Sequence, residues 1–146
     1  MYEQTFPFLK NTNWKITSIE DVSYNCIAWA AHDNTKWWWP KDFGYWPNNV
    51  PREETINAFI LAYESIGFQK CTNSSFQKGY EKIAIYVNKE DEPTHAARQK
   101  SNGRWTSKLG ARHDIEHDLY SLNNSPTYTS IYGEPKIFLK RKISYK

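Results

Sequence analysis

Cysteine is scarce in this chain of 146 residues: Cys26 and Cys71 are the only two. That is too few for a disulfide framework and excludes the small secreted scaffolds that depend on one. Long apolar runs are missing too, since no stretch approaches the roughly 20 residues that span a bilayer. The opening Met1-Tyr2-Glu3-Gln4-Thr5 has neither the basic nor the apolar region of a signal peptide. These absences lead to the expectation of a cytoplasmic chain with free thiols and no membrane partner. Charge of one sign is also in short supply. The net charge of +3 comes largely from Lys136 to Lys146, acids and bases are otherwise interspersed, and no nucleic-acid reader motif is present, so nucleic acid is not an expected partner.

Aromatic residues, by contrast, are abundant: seven Trp, ten Tyr and seven Phe make up 16% of a chain whose mean hydropathy is only -0.81. A core built from large rings whose polar edges need partners follows from that balance. The length fits one domain over residues 1–146, large enough to bury about two-thirds of its unfolded surface.

Ser23-Tyr24-Asn25-Cys26-Ile27-Ala28-Trp29-Ala30-Ala31 places one of the two cysteines where a helix begins. With Ser23 as N-cap, Cys26 is the third helical position and the helix runs to about His32 before Asp33-Asn34. Unpaired amides and the positive helix end favour a thiolate there, so a lowered thiol pKa is expected. Trp37-Trp38-Trp39-Pro40 through Gly44-Tyr45-Trp46-Pro47 is too rich in Pro and Gly for a regular element and too aromatic for a solvated loop. It either fills the core with indoles or lets a ring such as Trp38 line a groove beside Cys26. Pro51 opens a second helix with the stripe Ile56, Phe59, Ile60, Tyr63 and Ile66, and Gly67 stops it. Cys71 lies in a polar stretch and reads as incidental, while residues 1–20 read as an irregular lead-in anchored by Phe6, Phe8, Trp14, Ile16 and Ile19.

From Glu81 the period becomes two. Lys82 to Val87, Thr94 to Gln99 and Arg104 to Leu109 form an antiparallel meander, with further strands at Tyr128 to Tyr132 and Lys136 to Arg141. Helices followed by sheet give an α+β class. The turn Ser101-Asn102-Gly103 admits two registers. A two-residue Asn-Gly loop places Ala97 opposite Lys108, so that His95 shares its face with that lysine. A three-residue loop with glycine in the left-handed bulge position places Ala97 opposite Ser107 and leaves Thr94, Arg98, Arg104, Thr106 and Lys108 on the wetter side. The second is preferred because it buries Trp105 and Leu109, and it puts His95 and Ser107 together on an apolar face where each needs a hydrogen-bond partner.

Cysteine at a helix start followed by an antiparallel sheet whose second strand carries histidine resembles the papain-like cysteine hydrolases in their small bacterial form. Residues 24–31, 93–99 and 103–117 also resemble a group of uncharacterised bacterial proteins. The resemblance implies an α+β fold with the Cys26 helix packed on the sheet, Cys26 as nucleophile, His95 as general base, and the Cys26 amide helping to hold an oxyanion. It implies no cofactor and a peptide, protein or small amide substrate, with hydrolysis, acyl transfer and deamidation all open. The family's third residue falls at Ser107, an uncharged orienter, unless Asp114 or His117 takes that role. Asn25 or Tyr24 stands where the family's oxyanion glutamine is absent, and Trp38 and Trp105 are the candidate substrate contacts. Two other readings compete. One is a binding module without turnover, using the tryptophan loop as its contact surface. The other is a zinc hydrolase through His113-Asp114-Ile115-Glu116-His117, which matches H-x-x-E-H.

Overall fold

The computed structural model describes residues 2–124 and 131–143. Strands β1 (Lys15–Ile16), β2 (Gln69–Cys71), β3 (Tyr80–Val87), β4 (Pro93–Gln99), β5 (Trp105–Lys108), β6 (Asp114–His117) and β7 (Glu134–Lys142) form one antiparallel sheet ordered β1-β6-β5-β4-β3-β7-β2. With helices α1 (Tyr2–Thr5), α2 (Cys26–Ala30) and α3 (Ile56–Glu64), the fold is α+β.

The two-residue period of the strands divides the core. Ile83, Ile85, Ala96 and Leu139 face α2, α3 and the tryptophan loop. Ala84, Tyr86, Ala97, Trp105, Leu109 and Ile115 face the opposite way, onto Tyr2, Phe6, Leu9, Leu119 and Leu122. Because both faces are covered, β3 is buried without interruption from Ile83 to Val87, as a strand with no wet side should be.

Phe59, Ile60 and Tyr63 make the buried face of α3, as their spacing requires. The helix begins later than Pro51 because the Thr55 side chain accepts the Ala58 N–H and caps it there. Tyr63 then reaches across to donate its hydroxyl to the Ile27 carbonyl at 2.8 Å, tying α3 to the helix that carries Cys26.

The β4–β5 turn decides which residues meet. Gly103 adopts φ 85°, its N–H donates to the Lys100 carbonyl, and the Lys100 N–H donates to Arg104. This is the three-residue loop with a left-handed glycine. Arg98 accordingly pairs with Thr106 and Gln99 with Trp105. Further along, side chains join the two strands, His95 to Ser107.

Several expectations need correction. Residues 1–20 are not merely irregular: they hold α1, a 3-10 turn at Pro7–Leu9, and β1 paired with β6. Phe6 and Leu9 anchor them, whereas Phe8, Ile16 and Ile19 are exposed. Cys71 ends a strand paired with β7. Lys108 and Thr106 are not on a wet side, because α2 and its flanking loops cover that face. Lys108 is fully buried, and its ammonium donates to the carbonyls of Asp21, Gly110 and Arg112 at 2.6, 2.6 and 2.8 Å. The Lys136 to Arg141 strand is present within β7. The expected strand over Tyr128 to Tyr132 falls largely outside the described residues, and Ile131 and Tyr132 are not in strand.

Candidate functional site

The site is assembled at β4. Cys26 is the first residue of α2, whose N-cap is Asn25 rather than Ser23, because the Asn25 side-chain oxygen accepts the Ala28 N–H at 3.1 Å. The same oxygen accepts the Trp38 N–H at 3.1 Å, and the Asn25 amide nitrogen donates to the Trp38 carbonyl at 2.8 Å. One side chain therefore starts the cysteine helix and clamps the tryptophan loop beside it. The helix is short, ending at Ala30, and His32 turns the chain out at φ 62°.

The Cys26 thiol borders a pocket of about 530 Å³ whose other walls include Trp37, Trp39, Phe43, Thr94 and Tyr132. Its pKa is pushed up to about 11, first by burial; the backbone amides of Ala96, Ile27 and Cys26 itself and the Lys108 charge oppose the rise without cancelling it. The expected thiolate is thus not the resting form. Five residues of helix and a few amides do not offset desolvation of a buried sulfur.

His95 alternates with Ala96 along β4, so its ring points to the other face. There it is fully buried, edge-on to Tyr86 and stacked on Tyr132 with ring centroids 3.9 Å apart. Its Nε2 lies 2.8 Å from Ser107 Oγ, and Ser107 Oγ lies 2.7 Å from His117 Nε2. His117 Nδ1 is 2.8 Å from the Asp118 carbonyl. His95 Nδ1 is buried and, among the described residues, has no hydrogen-bond partner, so the Cys26 sulfur is not bonded to it. Burial first, and then the neighbouring His117, hold the His95 pKa well below the usual imidazole range. Burial likewise lowers His117 to about 4. Both rings are neutral at pH 7.

The chain belongs to the family described as Domain of unknown function (DUF7689), which it matches over residues 15–140. No curated protein and no solved structure matches it. The family's matched span contains every group of the Cys26 and His95 site.

Ser107 meets His95 as the register predicts, and His117 joins them. The other candidates fare differently. Asn25 lines the pocket; its oxygen accepts from the Ala28 and Trp38 amides, and its amide nitrogen donates to the Trp38 carbonyl. Tyr24 donates its hydroxyl to Asp114 at 3.1 Å and packs on Trp29, away from the pocket walls. Trp38 is 4% exposed, donates to Asp33 and stacks on Tyr63; its neighbours Trp37 and Trp39 face the pocket instead. Trp37 is the exposed one of the two, whereas Trp39 is half-buried and also packs edge-on to Phe59 of the core. Trp105 packs in the core of the opposite face. Thr94 and Tyr132 line the pocket with no pattern in the sequence to announce them.

His113 and His117 do not share a helical face. The segment between them is β6, His113 Nδ1 bonds the Tyr2 hydroxyl at 2.6 Å, and Glu116 pairs with Lys100 and Arg104. The zincin-type helix required by the H-x-x-E-H reading is not formed.

Proposed function

We propose that this protein is a papain-like thiol hydrolase in which Cys26 is the nucleophile and His95 the general base. The observation that carries the reading is the buried His95 Nδ1, which has no hydrogen-bond partner among the described residues, on the strand whose next residue, Ala96, presents its amide to the Cys26 sulfur. A buried basic nitrogen without a partner costs stability and calls for a reason. Receiving a thiol proton supplies one.

With the thiol and imidazole both neutral at rest, proton transfer accompanies substrate attack. The Cys26 S–H proton passes to Nδ1 while sulfur bonds to a carbonyl carbon in the pocket. The Cys26 amide at the helix start helps to hold the developing oxyanion. Collapse breaks the carbonyl bond to nitrogen or oxygen, the leaving group takes the proton from His95, and a thioester remains. Water then gives its proton to His95, adds to the thioester and releases the acid; the sulfur recovers the proton. An amine in place of water gives acyl transfer.

p-Nitrophenyl acetate tests this without knowledge of the natural substrate. Nitrophenolate release with an acetyl adduct mapped to Cys26 is expected, lost in Cys26→Ala, retained in Cys71→Ser, and slowed about a hundredfold or more in His95→Ala. An adduct rate unchanged in His95→Ala sinks the proposal. A second reading, a binding module without turnover, is favoured by Phe43, which stands fully exposed at the pocket rim with φ 63°. Absence of any Cys26 adduct decides for it.

A further inference from the structure

With both imidazoles neutral, the three hydrogen bonds around Ser107 and His117 have only one arrangement of protons. The Asp118 carbonyl can only accept, so His117 Nδ1 carries the proton that it donates there. A neutral His117 then has a bare Nε2, which must accept from Ser107 Oγ at 2.7 Å. The Ser107 hydroxyl, having donated its single proton, accepts from His95 Nε2 at 2.8 Å. His95 is left with its proton on Nε2 and its lone pair on Nδ1, the buried atom without a partner. Neutrality of both rings follows from their burial, so the chain holds together near pH 7.

From this we infer that His117 is a positioning residue acting through Ser107: the Asp118 carbonyl sets the His117 tautomer, His117 sets the direction of the hydroxyl, and the hydroxyl fixes His95 with Nδ1 as the proton-accepting atom. The inference rests on the reading of His95 as the base for Cys26. It explains how an uncharged serine can replace the carboxylate or amide that usually orients a catalytic imidazole. Serine alone donates or accepts with equal ease; serine bonded to a tautomer-locked histidine can only accept from His95.

The test is nitrogen NMR of imidazole-labelled protein near pH 7, together with acylation of Cys26 by p-nitrophenyl acetate. In the wild-type protein, His95 is expected to show a pyrrole-type Nε2 and a pyridine-type Nδ1, and His117 the reverse. Ser107→Thr keeps the hydroxyl and is expected to keep both tautomer signatures, which Ser107→Ala is expected to mix. His117→Phe frees the hydroxyl to donate, mixes the His95 tautomers and slows acylation about tenfold or more, as a misdirected imidazole does. Should His117→Phe fail to fold, Ser107→Ala and the wild-type spectrum carry the test. A protonated His95 Nδ1, a His117 protonated on Nε2, or an unchanged acylation rate in a folded His117→Phe overturns the relay while leaving the Cys26 adduct intact. Failure of the hydrolase reading looks different: the tautomers are as drawn but no Cys26 adduct forms, which removes His117's positioning role with it.

Discussion

The two faces of the sheet solve the same problem, burying polar atoms, in opposite ways. On the α2 side, polar edges are matched one by one to nearby acceptors: Trp38 to Asp33, Trp39 to Glu54, Trp46 to the Pro51 carbonyl and Trp29 to Thr106. On the other side, a directed chain runs from the Asp118 carbonyl through His117 and Ser107 to His95 and ends on a nitrogen that has no hydrogen-bond partner among the described residues. Pairwise matching produces a rigid wall. A directed chain leaves one acceptor open at its end. Cys26 packs on the first side with the Ala96 amide at its sulfur, and His95 is the preceding residue of β4 with its ring on the second.

The comparison can be broken first at Asn25. Asn25→Ala removes the α2 cap and leaves the Trp38 amide and carbonyl unmatched in the core. A loss of about 3 kcal/mol in urea unfolding is expected, combining a cap with buried unpaired backbone groups. A loss below about 1 kcal/mol would mean the wall does not depend on this clamp.

Acid titration sharpens the other face. His95 and His117 are depressed in the folded state, so the unfolded chain binds protons first as pH falls below about 6.5. Stability present above that pH is lost towards about 4 for His117, and His95 loses stability in the same direction below the usual imidazole range. Each ring contributes a slope of up to about 1.4 kcal/mol per pH unit. Urea midpoints at pH 7 and pH 5 are expected to fall for the wild type and to fall less for His117→Phe. Cys26 has the opposite sense: its raised pKa means that stability declines between about pH 9 and 11, and alkylation by iodoacetamide climbs over the same range without levelling near neutrality.

The next effect is steric and belongs to the loop. A Cβ on Gly44 would stand 2.6 Å from the Trp39 carbonyl oxygen, so Gly44→Ala must shift the Lys41 to Gly44 turn that lines the pocket. A cost of about 1 to 3 kcal/mol is expected, with slower Cys26 acylation. Phe43→Gly should change least. It relieves a left-handed non-glycine residue and removes an exposed ring, so stability rises by about 1 kcal/mol or less.

Much of this arrangement was legible in the chain, for identifiable reasons. Period two and a Ser-Asn-Gly turn placed His95 with Ser107, because a left-handed glycine fixes register and register fixes faces. The α3 stripe followed from its three-and-four spacing. The start of α2 was misread by two residues, since Ser23 and Asn25 are both acceptable caps and only the Trp38 backbone, brought close by the loop, selects Asn25. Lys108 was misplaced because covering a sheet on its second face is a long-range event: nothing near Lys108 in sequence announces that the Asp21 carbonyl will arrive to accept a hydrogen bond from its ammonium.

By itself, then, the sequence determined the α+β class, the cysteine at a helix start and the histidine and serine on one strand face, all consequences of local periodicity and turn chemistry. Only the tertiary structure decided the electrostatics. Whether Cys26 is a thiolate depends on how much water the folded loops exclude, and which nitrogen of His95 is basic depends on a carbonyl at Asp118 reached through two other side chains; desolvation and hydrogen-bond direction are properties of packed neighbours.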